Sequence, residues 1–255
     1  MSIADSVSIG VDATSGHKAF TLAALDNELR LVLLTEAELD EALDFLREQP
    51  RATVALNAPS HVSTGVVRRR LERDGSGPHA LRGAGIREAE SNLHALGIAV
   101  GGTPSTEALC PAWVQSGFEL YRRLSHLGYR AYPNDEAPRQ WLETHPHAGF
   151  CVLLGRSPLP KPTLEGRLQR ALALHERGLR IPDPMTFLEE ITRHRVLNGL
   201  IPMEMVPQPC ELDALVAAFT ASLALSKPQD VTRLGNKQEG YIVLPAAELK
   251  IKYEA

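Results

Sequence analysis

Three acidic residues, Asp12, Glu143 and Asp213, lie at positions where a folded chain could bring their carboxylates together. Carboxylates within a few Å of one another repel, and one of them becomes protonated unless a cation is present. Hard oxygen ligands favour Mg²⁺ or Mn²⁺, and such an ion can activate a water for attack on a phosphodiester. We therefore expect these three acids to act as metal ligands and catalytic groups if the fold unites them.

Neutral and basic residues extend this candidate site. Asn57 ends an apolar run and offers a neutral carbonyl oxygen to the same metal. His145 has an ordinary pKa near neutrality and is a candidate general acid or base, or else a strand histidine that donates to a carbonyl. Arg167 and Arg170 are candidates for bidentate phosphate binding, and the competing interpretation is a solvated helix face.

Asp12 and Asp213 could also have structural roles instead of a role as metal ligands. Asp12 could accept hydrogen bonds in a turn with the loop Thr14-Ser15-Gly16 that follows it. Asp213 is predicted in the first turn of a helix, where the helix dipole favours a carboxylate. Gly10, two residues before Asp12 on the same strand face, leaves room for another group to approach.

The elements that must position these residues begin with a strand over 7–14, in which Val7, Ile9 and Val11 share one face. Residues 18–25 and 29–34 continue an antiparallel meander, and a helix is predicted from Thr35. Its capping box would join Thr35 to Glu38.

A helical crossover makes the apolar run 53–59 parallel to the first strand, which puts Asn57 at the same sheet edge as Asp12. Residues 141–147 look extended, so alternation would place Glu143, His145 and His147 on one face. Small neighbours of Asp213 would let a last long helix over 211–225 approach the sheet closely. The short apolar run over 240–245 is expected to be a final strand or a packed tail.

Residues 60–130 lack a regular pattern and contain many Gly, Pro and Arg residues, including Arg68, Arg69 and Arg70. This segment is predicted to be a cap of helices and loops that presents cations to a phosphate. The competing interpretation is a solvated helical insertion with mixed surface charge. Helices are also predicted over 111–129, 163–178 and 184–198.

The composition is that of an ordinary globular protein, with 255 residues, 44% apolar content and a net charge of −4. Mild acidity argues against broad electrostatic binding to nucleic acid, although a local basic groove is compatible with it. Cys110, Cys151 and Cys210 have no paired spacing and are expected to be reduced thiols. The start of the chain lacks a signal-peptide pattern and no bilayer-length apolar run is evident, so we expect a cytoplasmic protein with no membrane partner.

The order strand–strand–strand–helix–strand, with Asp12 ending the first strand, resembles the ribonuclease H fold. Blocks spread along the chain look like those of the predicted RNase H-like nucleases catalogued as domain-of-unknown-function family 429. These blocks are Gly10-Val11-Asp12, Asn57-Ala58-Pro59, Glu143-Thr144-His145-Pro146, 161–170, 211–215 and 239–245.

The resemblance implies an α/β fold, with one RNase H-like domain over 1–255 and a mixed five-stranded sheet flanked by helices. A large insertion, the cap over 60–130, would lie between the fourth and fifth strands. The resemblance also implies Asp12, Glu143 and Asp213 as the acidic positions of a Mg²⁺ or Mn²⁺ site. Lys161 falls in a matching block and is a candidate substrate-binding residue, together with Arg167 and Arg170.

The expected function is therefore a divalent-metal-dependent nuclease that hydrolyses nucleic-acid phosphodiesters. Asn57 stands where the family commonly has Asp, which would lower the negative charge at the metal. A catalytically degraded binding protein of the same fold is the second hypothesis, with nucleic acid as a possible partner. An actin-like phosphotransferase is the third, and Thr14-Ser15-Gly16 is too short for the Gly-rich phosphate loop that it would need.

Overall fold

An eight-stranded mixed sheet with helices on both faces forms the centre of the protein. The computed structural model describes residues 6–14, 18–75, 77, 84–200, 203 and 206–254. The strands are β1 (Val7–Asp12), β2 (Phe20–Leu25), β3 (Leu31–Ala37), β4 (Ala52–Asn57), β5 (Arg130–Ala131), β6 (Arg139–Thr144), β7 (Thr232–Asn236) and β8 (Gly240–Leu244).

Helices connect these strands and cover the sheet. In chain order they are α1 (Leu39–Glu48), α2 (Val66–Arg73), α3 (Glu88–Ala95), α4 (Ala112–His126), α5 (Pro146–Leu154), α6 (Leu164–His175), α7 (Pro184–Asn198) and α8 (Pro209–Ser226). Short 3₁₀ turns lie at Glu107–Leu109 and Pro228–Asp230.

The sheet order is β3-β2-β1-β4-β6-β8-β7, and β5 pairs with β6. The meander β1–β3 is antiparallel, whereas β1, β4, β6 and β8 run parallel. Asp12 is in register with Asn57, and Leu56 with Glu143. The carboxyl ends of three neighbouring strands therefore meet at one sheet edge, as the crossover argument predicted for Asp12 and Asn57.

The two faces of β1 pack against different helices. Ile9 and Val11 belong to the core under α1 and α4. Gly10 faces α8, because a Cβ added there would lie 1.9 Å from the Ala214 carbonyl oxygen. The room that Gly10 leaves is thus occupied by the backbone of α8, which brings this helix against the strand that ends at Asp12.

Helix α8 is the central helix of the second core, between β1 and β2 on one side and α5 and α6 on the other. Its start is defined by a capping box between Gln208 and Glu211 and by Pro209 in its first turn. Its length and mean hydropathy of 1.3 match those of a membrane-spanning helix, but 72% of that segment is buried inside the protein. The helix predicted over 211–225 is thus the core helix α8.

Several boundaries differ from the prediction. Strand β3 continues to Ala37, because Thr35 and Glu36 still pair with β2, and the capping box joins Glu38 to Glu41 instead. The last extended segment before α5 stops at Thr144, because Pro146 occupies the first turn of that helix. A proline fits there since its missing N–H would be unpaired anyway.

The mixed sheet flanked by helices agrees with the prediction, but the sheet has eight strands rather than five. The prediction missed β5, which has two residues, and β7, whose sequence TRLGN is polar and contains glycine. The predicted cap segment contains α2, α3 and α4 within its described residues. The final strand over 240–245 is confirmed as β8.

Candidate functional site

A cavity of about 320 Å³ opens at the carboxyl ends of β4 and β6, beside the start of α8. Most of the predicted site residues line it. They are Asn57, Glu143, His145, Lys161 and Asp213. Asp12 is completely buried behind this wall and is hydrogen-bonded to Asn57 and Thr14, which both line the cavity. Topology therefore collects these residues from five separate parts of the chain.

Asp12 accepts hydrogen bonds from two directions. The Asn57 amide Nδ2 donates to Asp12 Oδ1 over 2.6 Å, and the Thr14 hydroxyl donates to the same oxygen over 2.9 Å. The Thr14 backbone N–H adds a weak bond at 3.4 Å, as the turn interpretation predicted. Burial raises the pKa of Asp12, although these donors and Lys161 partly oppose the rise. Ser15 and Gly16 of the predicted turn lie outside the described residues.

Thr21 stands directly across the β1–β2 ladder from Asp12. Residues paired in this way point to the same face of the sheet. Its hydroxyl is buried and has no hydrogen-bond partner among the described residues. An unpaired buried hydroxyl is unfavourable by about 1–3 kcal/mol, so a further polar group beside Asp12 would be stabilised here.

Asp213 approaches Asp12 from α8. Burial raises the pKa of Asp213 to about 7, and the nearby Asp12 carboxylate adds to the rise while Lys161 opposes it. The Lys161 ammonium donates directly to Asp213 Oδ2. Asp213 lies beyond the first turn of α8, whose acidic residue is Glu211, so the predicted helix-dipole explanation is wrong. The close packing of α8 on Gly10 is what places this carboxylate.

Glu143 forms a buried ion pair that was not predicted from the sequence. Its carboxylate forms a bidentate pair with Arg87, with Nη1–Oε2 and Nη2–Oε1 distances of 2.9 and 2.5 Å. Both side chains are at most 3% exposed, and the Ser60 backbone N–H also donates to Glu143. Arg87 further contacts Glu90 and the Glu239 carbonyl. Arg87 therefore partly compensates the charge of Glu143 within the protein, because its own charge is shared with Glu90.

The expected three-carboxylate centre is consequently not formed. Among the described residues, no group of three or more His, Cys, Asp or Glu side chains has the geometry of a metal site. The structure instead brings two carboxylates together, Asp12 and Asp213, with the amide of Asn57 beside them. Because Asn57 uses its Nδ2 on Asp12, its carbonyl oxygen remains the atom that can serve a cation.

This donor set fits a hard divalent cation in part. Two buried carboxylates and an amide oxygen are the ligand types that Mg²⁺ and Mn²⁺ prefer, and both ions complete their shells with water and substrate oxygens. The Thr21 hydroxyl has no hydrogen-bond partner within the described part of the chain, and the pKa values of Asp12 and Asp213 are raised. A bound cation would stabilise the charged form of both acids. Lys161 supplies one positive charge at the same place.

Residues 10–239 match the family described as protein of unknown function (DUF429). The chain belongs to this family. No curated protein and no solved structure matches it significantly. The family resemblance predicted from the sequence blocks is thus confirmed, whereas the RNase H-like nuclease activity stays a prediction.

In this DUF429 protein, His145 caps α5 and does not lie in a strand. Its Nδ1 accepts a hydrogen bond from the Ala148 N–H over 3.2 Å, which requires the ring proton to be on Nε2. Burial is the main cause that lowers its pKa to about 4, and the neighbouring His147 and Arg87 contribute to this shift. A neutral imidazole at pH 7 can donate from Nε2, but it is a weak general base and supplies no imidazolium acid.

Arg167 and Arg170 lie away from the cavity and are buried, so the predicted solvated helix face is wrong. Arg167 donates to the carbonyls of Pro207, Met203 and Val206, and Arg170 donates to those of Leu159 and Gly166. These guanidinium groups hold the segments around α6 together. The donors that form these bonds, Nε and Nη2 of Arg167 and Nη1 of Arg170, are directed at backbone oxygens and not at the cavity.

Arg87, Thr21 and Trp113 belong to this site and were not predicted from the sequence. Arg87 is one of several arginines in an irregular segment, and only its buried position beside Glu143 distinguishes it. Thr21 looked like an ordinary strand residue. Trp113 lies in the helix predicted over 111–129, where it packs on the core and also lines the cavity.

Proposed function

We propose that this DUF429 protein is a divalent-metal-dependent hydrolase of phosphodiesters, of the nuclease type. The observation that carries the proposal is the approach of Asp213, which lines the cavity, to the buried Asp12, where burial raises the pKa of both acids and the Asp12 charge adds to the rise at Asp213. A cation relieves the repulsion between these charges, and structures that bury paired acids at cavity edges commonly serve catalysis.

Asp12 and Asp213 would hold the ion, with the Asn57 carbonyl oxygen as a neutral ligand. A bound Mg²⁺ or Mn²⁺ supplies Lewis acidity and a water of lowered pKa. Lys161, which now pairs with Asp213, would offer its ammonium to a phosphate oxygen. His145 can donate a hydrogen bond from Nε2. In the overall reaction, water oxygen bonds to phosphorus, the ester P–O bond breaks, and the leaving oxygen takes a proton.

Calorimetric titration with Mn²⁺ tests the site directly. We expect binding by the parent protein and its loss in Asp12→Asn and Asp213→Asn. Asp44→Asn is the matched control, because Asp44 is an exposed surface acid paired with Arg47. Failure of the parent to bind Mn²⁺ would exclude the metal-dependent hydrolase.

Incubation with labelled single- and double-stranded DNA and RNA then tests the chemistry. We expect cleavage that depends on Mn²⁺ and disappears in both site variants. Hydrolysis of ATP alone would instead favour the phosphotransferase hypothesis.

A non-catalytic binding module is the second candidate, and the pairing of Glu143 with Arg87 favours it. With Glu143 paired to Arg87 and Asn57 uncharged, the site has less negative charge than a three- or four-carboxylate centre. Binding of nucleic acid without metal-dependent cleavage would support this candidate over the hydrolase.

A further inference from the structure

The cavity is small for a protein that acts on nucleic acid. Its volume of about 320 Å³ lies at the lower end of the roughly 300–1,000 Å³ range of small-molecule pockets. An internal stretch of a duplex or of a folded strand needs an open groove rather than a cavity of this size. The volume therefore limits what can reach Asp12 and Asp213 to a small group.

The walls of the cavity differ in chemistry. Asn57, Lys161 and Asp213 form a polar, charged part, whereas Trp113, Pro111 and Val100 contribute apolar surface. Trp113 is partly buried against two core clusters, so its indole ring is held in place. An aromatic side chain beside a phosphate-binding group is the combination that holds a nucleotide base, because bases stack on such rings.

Cations are scarce around this cavity. Among the described residues that line the cavity, one lysine, Lys161, and one arginine, Arg87, carry a positive charge. Arg87 forms ion pairs with Glu143 and Glu90. The whole chain has a net charge of −4. Polymer binding depends on several phosphate contacts by Lys and Arg, and this wall provides one.

We infer that the cavity binds a single nucleotide-sized unit: one phosphoester that carries a planar aromatic ring, with the ring against Trp113. This inference rests on the proposed function and specifies its substrate class. Two kinds of molecule can supply this unit: a free nucleotide ester, or the last nucleotide of a single strand. In both cases one ring and one phosphate enter the cavity, whereas a nucleotide in the interior of a polymer cannot enter it.

Gly101 allows a steric test that leaves the fold intact. It lines the cavity, it is exposed, and an added Cβ meets no atom within 4 Å. Gly101→Leu begins from an unobstructed Cβ at an exposed position, and we expect it to reduce the space for a ligand while the fold is kept. Gly85→Leu is the matched control, because a Cβ at Gly85 also meets nothing within 4 Å and Gly85 does not line the cavity.

Calorimetric titration with thymidine 5′-monophosphate in the presence of Mn²⁺ measures binding without any need for catalysis. We expect affinity to fall at least tenfold in Gly101→Leu and about 5- to 100-fold in Trp113→Ala, where stacking is lost. Gly85→Leu should bind within about twofold of the parent, and the circular dichroism of all variants should match. Absence of binding in the parent, or equal affinity in all variants, would overturn the inference.

Cleavage assays with Mn²⁺ separate this inference from the proposed function. The substrates are the p-nitrophenyl ester of thymidine 5′-phosphate, a linear single strand and a covalently closed circular single strand. Cleavage of the ester or of the linear strand from its end supports the inference and identifies the source.

Cleavage of the circle at the rate of the linear strand would overturn the inference while supporting phosphodiester hydrolysis. Binding of thymidine 5′-monophosphate that depends on Gly101 and Trp113, without cleavage of any substrate, would support the inference and exclude the hydrolase.

Discussion

The protonation of the Asp213 carboxylate is controlled by its burial and by its charged neighbours Lys161 and Asp12. Burial, the approach of Asp12 and the contact with Lys161 together set its pKa at about 7, against an ordinary value of 3.8. The folded protein therefore binds this proton more tightly than the unfolded chain does. The resulting contribution to stability is fully present below about pH 4 and is lost as the pH rises through 7.

Asp213→Asn removes this titration while keeping the side-chain shape. We expect the stability of the variant relative to the parent to increase by about 2–4 kcal/mol between pH 4 and pH 8, since each pKa unit corresponds to about 1.4 kcal/mol. Lys161, with its side chain 34% exposed, can be hydrated when its partner is lost. Urea unfolding of both proteins at several pH values measures the difference, and parallel curves would contradict it.

Asn57 determines how much negative charge surrounds Asp12. Asn57→Asp replaces a donor 2.6 Å from Asp12 Oδ1 by a third carboxylate. We expect a lower melting temperature without metal at pH 8, because like charges at this distance repel. Mn²⁺ should then raise the melting temperature more than it does for the parent.

Differential scanning calorimetry with and without Mn²⁺ measures both effects of Asn57→Asp. Asn57→Ser is the control, because it removes the amide without adding charge. An unchanged response to Mn²⁺ in Asn57→Asp would argue against a cation beside Asp12.

At the scale of elements, the contact between β1 and α8 positions the two acids. A Cβ at Gly10 would lie 1.9 Å from the Ala214 carbonyl oxygen and 2.3 Å from the Ala218 nitrogen. Both atoms belong to the helix backbone, so relief of the clash requires a movement of the whole of α8. A shift of α8 would also move Asp213 away from Asp12.

Gly10→Ala is therefore expected to reduce the free energy of unfolding by about 3 kcal/mol, the upper part of the range for overpacked cores. Gly85→Ala is the control, since a Cβ there meets no atom within 4 Å. Urea unfolding followed by circular dichroism measures both variants. A Gly10→Ala protein as stable as the parent would contradict the close packing of α8 on β1.

At the scale of the whole molecule, the Arg87–Glu143 pair joins the segment between β4 and β5 to the central sheet. Arg87 immediately precedes α3, and Glu143 lies in β6. A buried ion pair of this kind is costly to break from one side, because the remaining charge stays buried without a partner.

Arg87→Met is expected to lower the free energy of unfolding by about 3–5 kcal/mol, because it leaves the buried carboxylates of Glu143 and Glu90 without this partner. Glu143→Gln should cost less, because Arg87 keeps Glu90 as its partner. The double variant should lose less than the sum of the single losses, because the Glu143 charge that Arg87→Met leaves unpaired is absent. Chemical denaturation of all four proteins completes the cycle. Additive losses would show that the two residues act independently.

The same Glu143 variant separates its structural role from the predicted metal role. If Glu143 is held by Arg87, Glu143→Gln should change stability with little effect on Mn²⁺ affinity. A large loss of Mn²⁺ affinity at unchanged stability would restore Glu143 as a metal ligand.

Local patterns in the sequence were sufficient for much of the architecture. Alternating apolar residues predicted β1 and its two faces, and the crossover rule placed Asn57 beside Asp12, because these features depend on neighbouring residues and on chain handedness. The small residues of the last helix correctly indicated its close approach to the sheet. The blocks that resemble DUF429 were also sufficient to predict the family.

Only the tertiary structure decided how the charges pair. Glu143 was predicted to be a metal ligand, yet Arg87, 56 positions away, pairs with it. Arg167 and Arg170 were expected on a helix surface, but carbonyls from other segments surround them. A side chain's charge, pKa and partners depend on groups that are distant in sequence and close in space. Sequence spacing therefore identified the acids, while long-range packing determined that two of them, Asp12 and Asp213, come together.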